Sequence, residues 1–486
     1  MKIAYIFPPP WSPNHPSYSM ALFQASTQKM GYEFFGYDLN VDLHNVATIE
    51  DKKLWEGQFA FQWVTESNRI IEDYAGFLNN YVDNMIAEKI ELYVICINCY
   101  SRTLGFYMAE KIKEKNPSAQ IMMGGPQCFP AYEGVKILEN EFVDAIGTGE
   151  GDVVWPKIVE HFVKNKNLRL NLPGIAYKNE DGTIVDNGIP ELVSDLDNVP
   201  FADYDDVDFA KYGNTYQISM MTSRGCINTC AFCSERPNFY KYRTRSAENI
   251  FQEVKKHVNS FNNNKTVNHQ RKKSFLSKLF NLKNKNYITL NISFNDSLIN
   301  GVPKELEKFC DLVIESGIKF NWSGMALIRK EMTPELLAKM KKAGCVHMSW
   351  GLESGCQRVL DLMHKRFFTM DLARKIIKQT YEAGIQQACS VIVGFPGETE
   401  EMFEETVEFF KEYKKYFNNV GVQSMMVLKN SYVYDNLDEF GLRFEDLGDC
   451  VRWHSQDGQN NIELRQKRLE ILKAILDDKI ITTDKE

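Results

Sequence analysis

Two series of short apolar runs, each interleaved with helical patterns, constrain the fold of this chain more than any other feature. The first comprises KIAYIF (2–7), YEFFGYDL (32–39), LYVICIN (92–98), QIMMGG (120–125) and VDAIGTG (143–149). Strands that alternate with helices run parallel, and a parallel sheet needs helices over both faces. Residues 1–165 are therefore expected to form a doubly wound, Rossmann-like (flavodoxin-like) α/β domain whose ligands lie at the carboxyl ends of its strands.

The second series comprises YQISMM (216–221), ITLNISF (288–294), KFNWS (319–323), VHMSW (346–350), ACSVIVGF (388–395) and VGVQSMMVL (420–428). Its helices carry end signals: Thr333 with Pro334 opens one that Gly344 closes, and Thr369 and Gly384 bracket another. Six such units over 211–428 are expected to build a partial (β/α)6 TIM-like barrel. Between the two series, 166–210 is rich in Asn, Asp, Gly and Pro and reads as a linker with one hairpin turning at NEDG. Residues 429–486 read as a small C-terminal extension ending in a packing helix, IELRQKRLEILKAILDD. The stretch 258–286, basic and without an acidic residue, surrounds the apolar cluster Phe275, Leu276, Leu279 and Phe280 and reads as a mobile surface insertion.

Several classes are excluded by charge and patterning. With 57 basic against 65 acidic residues the chain carries a net charge of -8, which opposes broad nucleic-acid binding. No apolar run reaches the length of a membrane span, and the start MKIAYIFPPPWSP is a strand followed by prolines rather than a signal peptide. A cytoplasmic protein is expected. Eleven cysteines without a secretion signal read as thiols and metal ligands.

Their spacing is informative in one place. Cys226, Cys230 and Cys233 fall within SRGCINTCAFC, directly after the first strand of the second series. Three thiols on one short loop suit a soft metal, but they are one fewer than a closed zinc site or an ordinary iron–sulfur cluster uses. Another ligand has to fill the open position. On spacing alone, a zinc knuckle completed by a distant Cys or His competes with a cluster.

CINTCAFC in this setting resembles the radical S-adenosylmethionine (SAM) superfamily. There three cysteines hold a [4Fe-4S] cluster, and SAM chelates the fourth iron through its amino and carboxylate groups. GLESG (351–355) and GFPGET (394–399), at the ends of the fourth and fifth strands, resemble that family's SAM-binding strand ends. The resemblance implies Phe232 near the adenine, Glu353 and Ser354 near the amino acid or ribose, and Gly394 against the adenine; Asn295 and Asp296 fall where relatives carry polar site residues. In the first series, CYSRTL (99–104), GGPQ (124–127) and GTGEG (147–151) resemble the cobalamin-binding domain that precedes many radical SAM barrels. This implies corrin contacts at Ser101, Gly124, Gly125, Gly149, Glu150 and Gly151, since glycine lets backbone approach a large planar ligand.

Asp42 and His44 form an Asp-x-His pair, but Ala47 stands where the cobalamin-ligating loop has glycine, and His15 is a lone loop histidine. Cobalamin without a protein histidine ligand is therefore expected. Cys96, on a buried strand, Cys99 and Cys128 do not suggest a second cluster. Tyr240, Tyr242, Arg243 and Trp350 are candidates to face the substrate, and RWHSQDGQN (452–460) to cap the barrel mouth.

The resemblance implies reductive cleavage of SAM to a 5'-deoxyadenosyl radical and methylation of an unactivated carbon of a biosynthetic intermediate. Cyclisation or rearrangement without net methyl transfer, methylthiotransferase-like chemistry, and a non-catalytic corrin sensor holding zinc are the alternatives. The expected partners are a small-molecule or peptide substrate and an external one-electron reductant of flavodoxin or ferredoxin type, with no nucleic acid and no membrane span.

Overall fold

The computed structural model describes residues 1–56, 59–130, 132–213, 215–235, 241–273, 289–444, 450–476 and 479; for 264–273 only the helical backbone is described. The chain divides into two units, Met1–Ser219 and Met220–Thr482.

The first unit is built on seven strands: β1 (Lys2–Ile6), β2 (Glu33–Tyr37), β3 (Leu92–Cys96), β4 (Gln120–Gly124), β5 (Ala145–Gly147), β6 (Ile175–Lys178) and β7 (Ile184–Asp186). Their order is β2-β1-β3-β4-β5-β6-β7. The five strands expected from the first apolar series are parallel, in the flavodoxin-like order 2-1-3-4-5. Alternate residues of one strand feed opposite cores. Tyr93 and Ile95 join Leu104, Met108 and Ile112 on one face, whereas Leu92, Val94 and Cys96 join Trp155, Ile158 and Phe162 on the other. Burial on both faces is why these strands read as continuous apolar runs. The hairpin expected in the linker is β6–β7, and it extends the same sheet through antiparallel pairing to β5.

The second unit continues from β8 (Gln217–Met220). A two-residue pair, β9 (Ser223–Arg224) and β10 (Arg243–Thr244), follows, and then β11 (Asn291–Phe294), β12 (Asn321–Ala326), β13 (Cys345–Glu353), β14 (Gln386–Val393) and β15 (Asn419–Ser424). The sheet order β15-β14-β13-β12-β11-β8 makes each strand of this sheet a neighbour of the sheet's next strand in the chain, with β8 and β15 at the edges, so among the described residues the barrel is open. Pairing from β11 to β15 is parallel throughout. Three intervening helices start on threonine caps: Thr333, Thr369 and Thr399 each accept the N–H three residues on at 3.3 Å. Gly344 and Gly384 follow two of these helices with φ of +95° and +73°.

One expectation needs correction, and a second element holds more than its pattern implies. The helix Ala247–Lys273 runs on through the first part of the expected surface insertion, so that part is regular helix; Phe275, Leu276, Leu279 and Phe280 lie outside the described residues. The closing helix, Ile462–Leu476, buries Leu472 and Leu476 as expected, but also Arg465 and Arg468, at 0% and 2% exposure. Among the described residues no helix is long and apolar enough to cross a membrane.

Candidate active site

The cysteine loop is anchored at both ends before any cysteine is reached. Asp296, two residues after the end of β11, accepts the N–H groups of Thr222 and Ser223 at 2.7 Å each and the Thr222 hydroxyl at 2.7 Å. Burial raises its carboxyl to about 6 despite those donors. Both oxygens are committed to the loop, so Asp296 positions the backbone. At the far end the antiparallel pair β9–β10 closes the loop on itself.

Between these anchors, Asn228 N–H donates to Cys226 Sγ at 3.4 Å. Ala231 N–H donates to Met363 O at 2.9 Å, and Ala231 O accepts from Val433 N–H at 3.0 Å. Burial pushes the Cys230 thiol up to about 12, with Cys233, Glu353 and Cys226 adding repulsion and Lys365 opposing it. The three thiols thus lie within electrostatic reach of one another, although among the described residues no three His, Cys, Asp or Glu side chains converge on a single ion. A cuboidal cluster does not require such convergence, because each thiolate ligates a different iron. Phe232 packs against the apolar cluster of Phe395, Met425, Val427 and Trp453.

Glu353 ends β13, where the register with β14 shifts and the Glu353 backbone takes a φ of +71°. This local irregularity re-aims the side chain. Its Oε1 accepts from Lys365 Nζ at 3.0 Å and its Oε2 from Ser390 Oγ at 2.9 Å. Burial opposes the Lys365 charge, but Glu353 and Cys230 together raise its pKa above the ordinary lysine value. A Cβ at Gly351 would stand 3.0 Å from Lys365 Nζ, which explains a glycine there. Ser354 turns inward instead: its Oγ bonds Thr406 Oγ1 at 2.9 Å and accepts Cys356 N–H at 3.1 Å.

The Gly394 turn is seized by the C-terminal segment. Gly394 has φ +76°, and a Cβ there would lie 2.3 Å from Arg465 Cγ. Its N–H donates to Glu398 Oε2 at 2.6 Å, and its carbonyl accepts from Asn460 Nδ2 at 3.0 Å. Arg465 stacks on Trp453 at 3.8 Å and donates to the Val451 and Trp453 carbonyls. The 452–460 segment, expected at the barrel mouth, is therefore packed onto the ends of β14 and β15 through Trp453, which also donates to Met425 O at 3.0 Å.

A cavity of about 380 Å³ opens over β11, β12 and β13, lined by Ser293, Asn295, Ser323, His347 and Ser349 among others. Register explains the grouping: Ser293 pairs with Ser323 and Ser323 with His347, so they share one face, while Trp322 and Met348 are buried on the other. Asn295, expected near the site, lies here; its Oδ1 accepts from Ser293 Oγ at 3.0 Å. Burial holds His347 below the ordinary histidine pKa.

Other candidates are used structurally. Trp350, expected to face the substrate, is 1% exposed on the outer face and donates to Gln387 Oε1 at 2.9 Å. Tyr242 packs on Gly301 and donates to Leu298 O at 3.2 Å, and Arg243 lies in β10 with its Nε donating to Lys241 O at 3.3 Å. Tyr240 lies outside the described residues.

In the first unit the strand order reverses at β1 and β3. After β3, Ser101 Oγ accepts Asn98 N–H at 2.8 Å, and Asn98 Oδ1 accepts Ser101 N–H at 2.9 Å, which opens the helix Arg102–Lys115. A Cβ on Gly124 would meet nothing within 4 Å, whereas one on Gly125, at φ +100°, would lie 2.5 Å from Ile97 O. In the loop after β1 the Trp11 indole nitrogen is buried without an acceptor. Gly149 and Gly151 abut Pro190 and Phe23, and Glu150 Oε2 accepts Val193 N–H at 2.7 Å, so these three meet protein at close range. His15 Nδ1 is 3.4 Å from Pro16 O, and His44 packs edge-on to Trp55.

Residues 220–410 match the model of the radical SAM superfamily. A protein of Pyrococcus horikoshii named as an uncharacterized methyltransferase is 27% identical over 316 residues, 63% of this chain and 61% of its own length. An anaerobic magnesium-protoporphyrin IX monomethyl ester cyclase of Rubrivivax gelatinosus is 27% identical over 354 residues, 69% of this chain and 57% of its own. The chain thus spans about three fifths of the curated relatives it matches. In fold it is similar to the cobalamin-dependent SAM radical enzyme OxsB (TM-score 0.63, 16% identity, 90% of this chain and 56% of that one). It is likewise similar to the radical SAM methyltransferase TsrM of Kitasatospora setae (TM-score 0.64, 13% identity, 97% and 82%).

Proposed function

We propose that this chain, whose residues 220–410 match the radical SAM superfamily model, is a cobalamin-dependent radical SAM enzyme that methylates an unactivated carbon of a small-molecule or peptide substrate. The observation that carries the reading is the assembly, within one unit, of the cysteine loop, the Glu353–Lys365 pair and the Gly394 turn at the carboxyl ends of β8, β13 and β14 of one sheet. The donor set fits a cluster: three thiols on one anchored loop leave an iron for an outside ligand.

Cys226, Cys230 and Cys233 would hold the [4Fe-4S] cluster, and Phe232 with the Gly394 turn would take the adenine of SAM. In the first unit Ser101, Gly124 and Gly125 would meet the corrin, with Trp11 offering an unused donor at the sheet's switch point; Gly149, Glu150 and Gly151 would support that end from behind. When bound, the reduced cluster supplies the electron that splits SAM to methionine and a 5'-deoxyadenosyl radical, and cobalamin supplies the methyl group. The protein's own work is to orient and to exclude water. Asp296 fixes the loop, Glu353 fixes Lys365, and the hydroxyl, amide and imidazole groups of the cavity hold the substrate, while the Asp296 carboxylate that also lines it is spent on the loop. The electron would come from an external one-electron donor.

Anaerobic reconstitution with iron and sulfide tests the reading. A reducible brown chromophore, reductive formation of 5'-deoxyadenosine and transfer of isotope from methyl-labelled SAM into product are expected; a colourless zinc-loaded protein overturns it. Similarity to the magnesium-protoporphyrin ester cyclase favours one second reading, cyclisation without methyl transfer. It predicts 5'-deoxyadenosine together with an unlabelled product.

A further inference from the structure

Lys365 is a buried cation of the second unit whose charge acts on Cys230 and Cys226 of the cysteine loop. It follows the short helix Gln357–Leu362, after a His364 backbone at φ +58°, and its N–H returns to Leu360 O at 2.9 Å. That turn is joined to the loop directly, because Met363 O accepts the N–H of Ala231, the residue after Cys230. Lys365 is 4% exposed, with its ammonium 3.0 Å from Glu353 Oε1. Glu353 is in turn held by Ser390, so the cation has one fixed position.

We propose that Lys365 is a positioning residue for charge: its ammonium, held by Glu353, sets the reduction potential of the cluster carried by Cys226, Cys230 and Cys233. The inference rests on the cluster reading above. Reduction adds one electron, supplied from outside by a low-potential one-electron donor, to a centre ligated by three anionic thiolates. Removed from water, a nearby fixed cation stabilises the added negative charge, and a nearby anion does the reverse. The pair therefore acts in opposite senses. Lys365 makes the cluster easier to reduce, and Glu353 limits that effect while fixing the ammonium in place.

The test is a potentiometric titration of reconstituted full-length protein followed by electron paramagnetic resonance, with no substrate. In Lys365→Met the reduction equilibrium constant is expected to fall at least tenfold, about 59 mV to more negative potential for a one-electron couple. Glu353→Gln is expected to shift the midpoint the opposite way, and Lys365→Arg to hold it near wild type. A merely structural pair would give no shift, or shifts of one sign in both variants, and either result overturns the proposal. Should Lys365→Met fail to take up iron, the sign of the shift in Glu353→Gln decides alone. Failure of the underlying reading looks different: the wild-type protein itself would show no reducible cluster signal.

Discussion

Arg468 Nη1 lies 2.9 Å from Glu398 Oε2, the same oxygen that accepts the Gly394 N–H at 2.6 Å. One carboxylate thus ties the Gly394 turn to the closing helix. Both side chains are about 2% exposed or less, so neither charge has water to fall back on. Removing one partner of such a pair strands the other, at a cost of about 3–5 kcal/mol. Arg468→Met is expected to lower stability by that amount in chemical denaturation and to weaken SAM binding in the reconstituted protein; unchanged values for both would show that the helix does not hold the turn.

The turn itself should be less tolerant still. Gly394→Ala adds a Cβ 2.3 Å from Arg465 Cγ on a backbone at φ +76°. Overpacking and the left-handed backbone each cost about 1–3 kcal/mol. The expected result is a lowered melting temperature and a higher SAM dissociation constant, read by calorimetry and by equilibrium binding.

Replacing Cys226, Cys230 and Cys233 together with Ala is expected to abolish the brown chromophore and the formation of 5'-deoxyadenosine. The loop anchors lie outside the substituted side chains, so circular dichroism should remain that of wild type. Persistent 5'-deoxyadenosine would refute the ligand assignment.

Asp296 gives the loop a pH signature. Its carboxyl is raised from the ordinary 3.8 to about 6 by burial. The native state then binds more protons than the unfolded one between those values, so this group's stabilising contribution is complete below 3.8 and is lost as pH rises through about 6. The total is about 3 kcal/mol. Asp296→Asn should flatten that part of the stability profile measured by urea unfolding from pH 4 to 7, and an unchanged slope would exclude Asp296 as its source.

His347 tests the cavity. It is the histidine among the cavity-lining side chains and pairs in register with Ser323. His347→Phe removes a hydrogen-bonding group and is expected to reduce product formation about tenfold or more while 5'-deoxyadenosine is still made without substrate. Equal losses in both reactions would place His347 outside substrate binding.

How much of this the residue order revealed depends on how local each feature is. The three cysteines lie within eight positions, and the strand and helix periodicities around them are short-range, so loop, strands and order of the units were all legible. Lys365 was not: it meets Glu353 only because the turn at His364 folds the chain back, and eleven intervening residues hide the pair. Burial of Arg465 and Arg468 is not legible in the residue order, because arginine on an amphipathic helix ordinarily marks the wet side. His347 and Ser349 alternate with Met348 and Trp350, which is a visible period of two. Which side of that alternation faces inward is decided by sheet curvature, a long-range property. The hairpin at NEDG was legible as a hairpin, but its pairing to β5 joins segments more than 25 residues apart.

Among the described residues the sheet of the second unit ends at β8 and β15, and these two strands are not joined to each other. A closed ring has a circumference fixed by strand number and stagger, and widening it means tearing a ladder apart. An arc has no such constraint: small changes of twist shared over six strands can spread or tighten its inner curve with every backbone bond intact. Proteins built this way can accommodate guests of very different girth by adjusting the lining alone, leaving the strand framework as it stands.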